Sequence, residues 1–286
     1  MKAPLLATLL TLFCSYANAT TLNLTHSQSH KRYEFGLKIL KSALNSINVK
    51  VNLKKLENVN EGRTNLLLES GDVDFMFLST NREREKKFHP IKIPVYNGLL
   101  GCRLLLVPKK SKDRFKNVKS VADLAPFIAG HGRHWGDRHI YKANNLKVMT
   151  SVRYPLIFQQ LIAGRIDYFH RGVSEIWSEL EDYSDTLAIA NGPALFYKHP
   201  VYFFVAKDKH KLAALIEKGL SSIKKSGEFD RVFLEYHGDF IKKANLPQRN
   251  FVILKNNPIL PDKSPLLDTK SWLGKKRQRI LRDLNL

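Results

Sequence analysis

Residues 130–137, Gly-His-Gly-Arg-His-Trp-Gly-Asp, gather side chains suited to holding a ligand. Glycines let backbone N–H groups approach a bound group, and a helix opening after such a turn favours an anion at its N-terminus. Arg133 adds a guanidinium whose two parallel donors match a carboxylate or phosphate. Trp135 reads either as a flat apolar wall of a site or as a packing residue. His131, His134 and His139 raise the question of a metal, but spacings of three and five are loose, and Arg133 and Arg138 would set cations beside the ion. Neither a metal nor a cofactor is expected. Further on, Arg171 and Glu175 stand four apart, so Arg171 reaches a ligand, pairs with Glu175 or points to solvent. Glu175 is the carboxylate to weigh for acid–base work, yet one carboxylate at a helix start does not make an active site. The chain carries no G-x-S-x-G, H-E-x-x-H, G-x-x-x-x-G-K or C-x-x-C, and it is expected not to be an enzyme.

These residues sit in a chain of 286, with 43% apolar residues and 47 Lys+Arg against 26 Asp+Glu, a formal charge of +21. The two cysteines, Cys14 and Cys102, exclude a disulfide scaffold and a multi-cysteine metal site. Met1-Lys2, the apolar run 5–13 and Ala17-Asn18-Ala19 form the three-part pattern of an export signal, so the mature chain is expected to start at Thr20 in the periplasm. Cys102 is then the remaining thiol, and its place in the apolar run 99–107 reads as a buried, inert strand position. The basic charge fits nucleic acid, an anionic envelope surface or an anionic small ligand; nucleic acid is the weakest of the three, because export separates the protein from it and no reader motif occurs.

Strands and helices alternate along the chain. A short strand at 21–25 precedes a helix with Tyr33, Leu37, Leu40, Leu44 and Ile47 at helical spacing, and Val49, Val51 and Leu53 alternate with polar residues as in a half-buried strand. A helix over 61–70 stops at Gly71, and Ser120 with Asp123 has capping-box spacing. Pro155 suits a first helical turn. Such alternation predicts an α/β fold with mostly parallel sheets. The sequence also repeats itself: Leu68-Glu69-Ser70-Gly71-Asp72-Val73-Asp74-Phe75 returns as Leu161-Ile162-Ala163-Gly164-Arg165-Ile166-Asp167-Tyr168, 93 residues on. Each copy reads as a helix end, a left-handed glycine and a strand entering a sheet, which suggests two similar lobes.

Element order, the two L-x-x-G-x-[VI]-D-[FY] segments, the Ser120–Leu124 entry and the run 220–227 together resemble the family 3 periplasmic solute-binding proteins over residues 20 to 240. The resemblance implies a type II periplasmic-binding-protein fold: two lobes, a ligand cleft between them and two crossover strands. It divides the chain into a signal peptide (1–19), lobe 1 (20–108), lobe 2 (109–200), and a return to lobe 1 with a C-terminal tail wrapping it (201–286). It implies a protein that captures a small polar ligand by hinge closure and delivers it to an ABC transporter permease. A ligand-sensing partner of a membrane receptor or kinase is the alternative, a dehydratase-type cleft enzyme the second, and the protein is expected to be a monomer that binds no nucleic acid.

By the same resemblance, Ser79 and Thr80 lie at a ligand-facing strand exit, and Arg82 takes the position that grips a ligand carboxylate, with Arg84 as the near alternative. Read alone, 79–88 is a solvated cluster of mixed charge. Arg133 and Trp135 fall in the second lobe's ligand turn. The family's acidic residue eight positions after the second motif glycine is absent, since Gly172 stands there with Arg171 before it and Glu175 after it. That departure predicts an anionic ligand held by Arg82, Arg133 and Arg171 instead of a plain amino acid.

Overall fold

The structure, a computed structural model, describes residues 20–28, 33–57, 59, 61–133, 135 and 137–256. The export signal expected at 1–19, His134, and the basic run 275–279 in its expected last helix lie outside the described residues. The chain opens with β1 (Thr20–His26), α1 (Glu34–Asn45) and β2 (Val49–Lys55), the two strands parallel. Helix α2 (Glu61–Ser70), β3 (Met76–Ser79), α3 (Arg82–Lys87) and β4 (His89–Ile91) follow. The chain then crosses to β5 (Cys102–Pro108), α4 (Val121–Leu124), β6 (Ile128–Gly132), α5 (Arg138–Ala143), β7 (Lys147–Ser151), α6 (Tyr154–Ile162), β8 (Tyr168–Gly172), α7 (Ile176–Asp182), β9 (Leu187–Ile189) and β10 (Ala194–Phe196). It returns in β11 (Val201–Val205) and ends its described part with α8 (His210–Ser226), α9 (Glu228–Ala244) and β12 (Phe251–Ile253).

Strand β11 lies between β3 and β4, antiparallel to both, in the smaller sheet. The β1–β2 pair joins that sheet through side chains. The Gln28 amide donates to Phe77 O at 2.8 Å and accepts from Phe77 N at 2.9 Å, replacing a rung of backbone ladder. The larger sheet runs β12-β10-β5-β8-β6-β7, with β9 on the β10 side of β5. Leu104, Leu105, Leu106 and Val107 are fully buried, so β5 is apolar on both faces and needs a central place. All its ladder partners are strands of the larger sheet, which moves 102–108 out of the first lobe where the sequence expected it. The expected wrapping of lobe 1 by the tail is also corrected for its described part. β12 is a strand, as expected, but it pairs in parallel with β10, covering an edge that would otherwise stand open.

The sequence repeat has a structural meaning. Gly71 and Gly164 have φ of 85° and 69°, the left-handed conformation that lets a helix end and a strand begin. The aspartate three residues later makes the same two-bond clasp in each copy. Asp74 Oδ2 accepts from Thr25 N at 2.6 Å while Asp74 N donates to Thr25 O at 2.9 Å. Asp167 Oδ2 accepts from Ile128 N, and Asp167 N donates to Ile128 O, both at 2.8 Å. Each clasp fixes the strand after the glycine against a neighbouring strand, β1 in one case and β6 in the other.

Helices α8 and α9 cover α1 and the smaller sheet. The buried stripe of α1 is Phe35, Ile39, Leu40, Ala43 and Leu44, rotated from the one expected; Tyr33, Leu37 and Ile47 are partly buried at its margin. Ring contacts of Phe35 with Phe233, Tyr236 and His237 join α1 to α9. Where α1 meets α8 the backbones nearly touch: a Cβ at Gly219 would lie 2.4 Å from Ala43 O. Helix propensity alone would make Gly219→Ala stabilising by about 1 kcal/mol. The contact with a carbonyl that cannot yield reverses the sign, and a loss of about 1–3 kcal/mol is expected. Thermal unfolding of the variant checks this, and a raised midpoint would show that the helices can part without cost.

Candidate functional site

The parallel strands β6 and β8 end at Gly132 and Gly172, and a polar cluster forms on the segments that follow them. Its centre is Arg103, which is 7% exposed on the apolar strand β5. Its Nη2 lies 3.4 Å from Asp137 Oδ2 and its Nη1 3.1 Å from Glu175 Oε2. The Tyr197 hydroxyl donates to Asp137 Oδ2 at 2.6 Å, and the Tyr197 ring lies 5.6 Å from the Arg103 guanidinium. His131 Nε2 faces Asp137 Oδ1 at 3.1 Å, while its Nδ1 meets Gly132 O at 2.7 Å. Burial works against charge on Asp137, but the His131 contact and Arg103 overcome it and hold the carboxyl well below the usual range. Burial likewise opposes charge on Glu175, and Arg171, Arg103 and the Gly172 N–H outweigh it, lowering its pKa.

Arg171 is not a spare cation. Its Nε and Nη2 hold Glu179 at 2.6–2.8 Å, its Nη2 lies 3.4 Å from Glu175, and Trp135, Phe169 and Tyr154 surround the guanidinium at 4.9, 5.2 and 5.6 Å. The Tyr154 hydroxyl donates to Glu179 as well. Of the places the sequence left open for Arg171, the structure puts it against a carboxylate, chiefly that of Glu179 and not only Glu175. The absent acidic side chain at 172 has a substitute. A Cβ at Gly172 would lie 2.7 Å from Glu175 Oε2, so the Glu175 carboxylate occupies the space a side chain at 172 would fill, and it remains 33% exposed.

Gly130 and Gly132 serve packing. A Cβ at Gly130 would strike Ile166 at 2.4 Å, and one at Gly132 would strike the Trp135 ring at 2.5 Å. Two N–H groups of the turn are used internally, Arg133 N by Ser151 O and Trp135 N by Gly132 O, so they do not face a ligand as expected. Arg133 itself is exposed. Trp135 is half-buried, stacked on Phe169 at 5.9 Å and under Arg171, which makes it a packing residue first. His139 turns away to Asn256 at 2.9 Å, and among the described residues no three His, Cys, Asp or Glu side chains are placed to share a metal.

On the first-lobe side, Ser79 Oγ meets His199 Nε2 at 2.8 Å, linking the end of β3 to the segment that returns from β10 to β11. Thr80 is buried, its N donating to Pro200 O at 2.9 Å and its Oγ1 to Glu85 at 2.7 Å. Asn81 caps α3 through Arg84 N. The Arg84 guanidinium folds back onto Ser79 O, leaving Arg82 exposed at the start of the helix. Burial holds His199 down to about 4. Sequence reading passed over Arg103, Tyr197, His199 and Glu179 and met Asp137 only as a member of the 130–137 turn; a charged residue inside the apolar run 99–107 was the available signal for Arg103.

Similar solved structures include an ancestral arginine-binding protein bound to arginine, at 20% identity over 77% of this chain and 99% of that one, with a TM-score of 0.52. An amino acid ABC transporter substrate-binding protein of Streptococcus pneumoniae bound to L-arginine matches at 16% identity over 76% and 94%, TM-score 0.55. A Salmonella typhimurium periplasmic binding protein of high arginine specificity matches at 16% over 76% and 99%, TM-score 0.53. The chain has the two-lobed periplasmic-binding-protein fold. No protein-family model matches the sequence, and no curated sequence matches it significantly. The Arg103 cluster sits beside two of the three connections between the sheets, residues 92–101 and 197–200; the third, 245–250, leads from α9 to β12.

Two consequences are measurable. Arg103→Met would leave Asp137 buried without its guanidinium and take one of two cations from Glu175, a loss of about 3–5 kcal/mol, and adding Asp137→Asn should recover part of it. Urea unfolding checks both; a loss under about 1 kcal/mol would show that Arg103 does not organise the cluster. Burial also lowers the pKa of His170, of His199 to about 4 and of His237 to about 4. These rings bind protons in the unfolded chain before they do in the folded one, so stability is full above about pH 6.5 and falls as pH drops toward 4. The urea midpoint should decline steeply between pH 7 and 4.5, against a flat profile if the rings were open to solvent.

Proposed function

We propose that the protein is a periplasmic solute-binding protein that captures a small polar, amino-acid-like ligand between its lobes by hinge closure and passes it to an ABC transporter, without chemical turnover. The fold supports this reading, as do the arginine- and amino-acid-binding proteins of like fold. Residues 1–19 would be the cleaved export signal and the mature chain a periplasmic monomer. The lobes would be 20–91 with 201–244, and 102–196 with 251–256, turning about the three connections between them, 92–101, 197–200 and 245–250.

One observation carries the choice of ligand: Arg171 is saturated by Glu179, while the Glu175 carboxylate is one-third exposed in the place of the absent side chain at 172. Glu175 would receive the ligand ammonium. Exposed Arg82 would receive its carboxylate at the start of α3, with Ser79, Thr80 and Trp135 shaping the site. Arg133, also exposed, would close from the second lobe, and Arg103 and Arg171 would position Glu175 without touching the ligand. An all-arginine trap for a dicarboxylate or phosphate is correspondingly disfavoured.

Calorimetric titration with amino acids, dicarboxylates and organic phosphates tests this. An amino acid should bind, and Glu175→Gln should weaken it by roughly one to two decades, the worth of a charge-assisted contact of about 1.5–3 kcal/mol. Small-angle scattering should show the protein contracting with that ligand. Tight binding of an organic phosphate, unchanged by Glu175→Gln, would overturn the ligand assignment; product release from the bound compound would overturn the non-catalytic reading.

A further inference from the structure

Among the described residues, a dense run of unpaired charge lies at the opposite end of the second lobe from the site. Strand β5 runs antiparallel to β8 from Arg103, opposite Gly172, to Pro108, so the loop after it emerges where β6, β7 and β8 begin. Five residues of strand put it about 17 Å from the Arg103 cluster. That loop, Lys109-Lys110-Ser111-Lys112-Asp113-Arg114-Phe115-Lys116-Asn117-Val118-Lys119, carries five lysines, all exposed. None of the five forms an ion pair among the described residues. The acidic neighbours are otherwise engaged. Asp113 accepts from Asn191, Asp123 caps α4 through the N–H groups of Lys119 and Ser120, and Asp167 holds Arg114 at 2.6 Å.

The loop is pinned. Phe115 and Val118 are buried, Arg114 lies 4.9 Å from the Phe127 ring, and Lys109 N and Lys112 O bond to Thr186 O and Asn191 N. A rigid scaffold therefore presents the lysines with little ordering cost left for a partner to supply.

We propose that residues 109–119 dock the second lobe onto an anionic phospholipid surface. Protein interfaces favour aromatic and arginine anchors and deplete lysine, whereas this loop exposes five lysines beside Asp113, Arg114 and Asn117 with no aromatic among them, and its one arginine is already paired. Hydrated point charges on a fixed loop suit a diffuse field of headgroup phosphates, toward which each lysine adds a comparable increment. The position leaves the opposite, site-bearing end of the lobe uncovered while the protein is docked.

The test is co-sedimentation of the chain from Thr20 to Leu286 with vesicles of phosphatidylcholine, with or without phosphatidylglycerol, at 50 and 200 mM salt. Wild type should pellet with the phosphatidylglycerol vesicles, release at the higher salt and stay in solution with phosphatidylcholine alone. Replacing Lys109, Lys110, Lys112 and Lys116 with glutamine should weaken vesicle binding at least tenfold, the four-arginine variant should retain it, and circular dichroism should be unchanged in both. A glutamine variant that pellets like wild type would overturn the assignment, as would wild type that never pellets. Binding to polyglutamate with vesicles left unbound would overturn it in favour of an acidic protein partner.

Discussion

A guanidinium buried in an apolar strand imposes terms on everything around it. Arg103 lies on β5, whose neighbouring side chains are leucines, and a cation there is tolerable only with carboxylates brought to it. Asp137 comes from the turn after β6, Glu175 from the turn after β8, and Tyr197 from the connection that leaves β10. Three connections that diverge in sequence are thereby drawn to one point. The glycines at 130 and 132 let the Trp135 ring and α6 close over β6 so that the turn reaches Arg103.

The charges that result are not interchangeable. Arg103 and Arg171 face Asp137, Glu175 and Glu179, and the three carboxylates outnumber the two guanidiniums. Glu175 touches both arginines and is the least buried of the three, which leaves the negative excess nearest to solvent. The aromatic ring of Trp135, Tyr154 and Phe169 that encloses Arg171 keeps that guanidinium from turning outward.

Much of this was legible in the residues. Alternating periodicities give the α/β order, and the repeated glycine and aspartate mark the two clasps because a left-handed turn and a strand-fixing carboxylate each need a particular residue type. Arg171 and Glu175 were legible as a pair by spacing. The sites of the remaining partners were not, because Glu179 on α7, Asp137 before α5 and Tyr197 after β10 meet the arginines through tertiary packing, which sequence spacing does not encode. The 130–137 turn misled for a related reason: glycine is required equally where a ligand approaches and where a side chain lies flat on the backbone, and here the side chains are Ile166 and Trp135. The place of β12 was beyond reach, since a three-residue apolar strand fits any open edge.

The strand order also governs when this protein can fold as it emerges from a ribosome or a pore. The smaller sheet lacks its central strand until residue 205 has appeared, and α1 lacks its cover until α8 and α9 follow. The larger sheet is closed at its edge by residues 251–253, although its other strands are complete by 196. A chain released from its N-terminus therefore holds both halves unfinished through most of its length, and residues 201–253 complete them almost together. Neither half can close early, and that delay is a property of the connectivity alone.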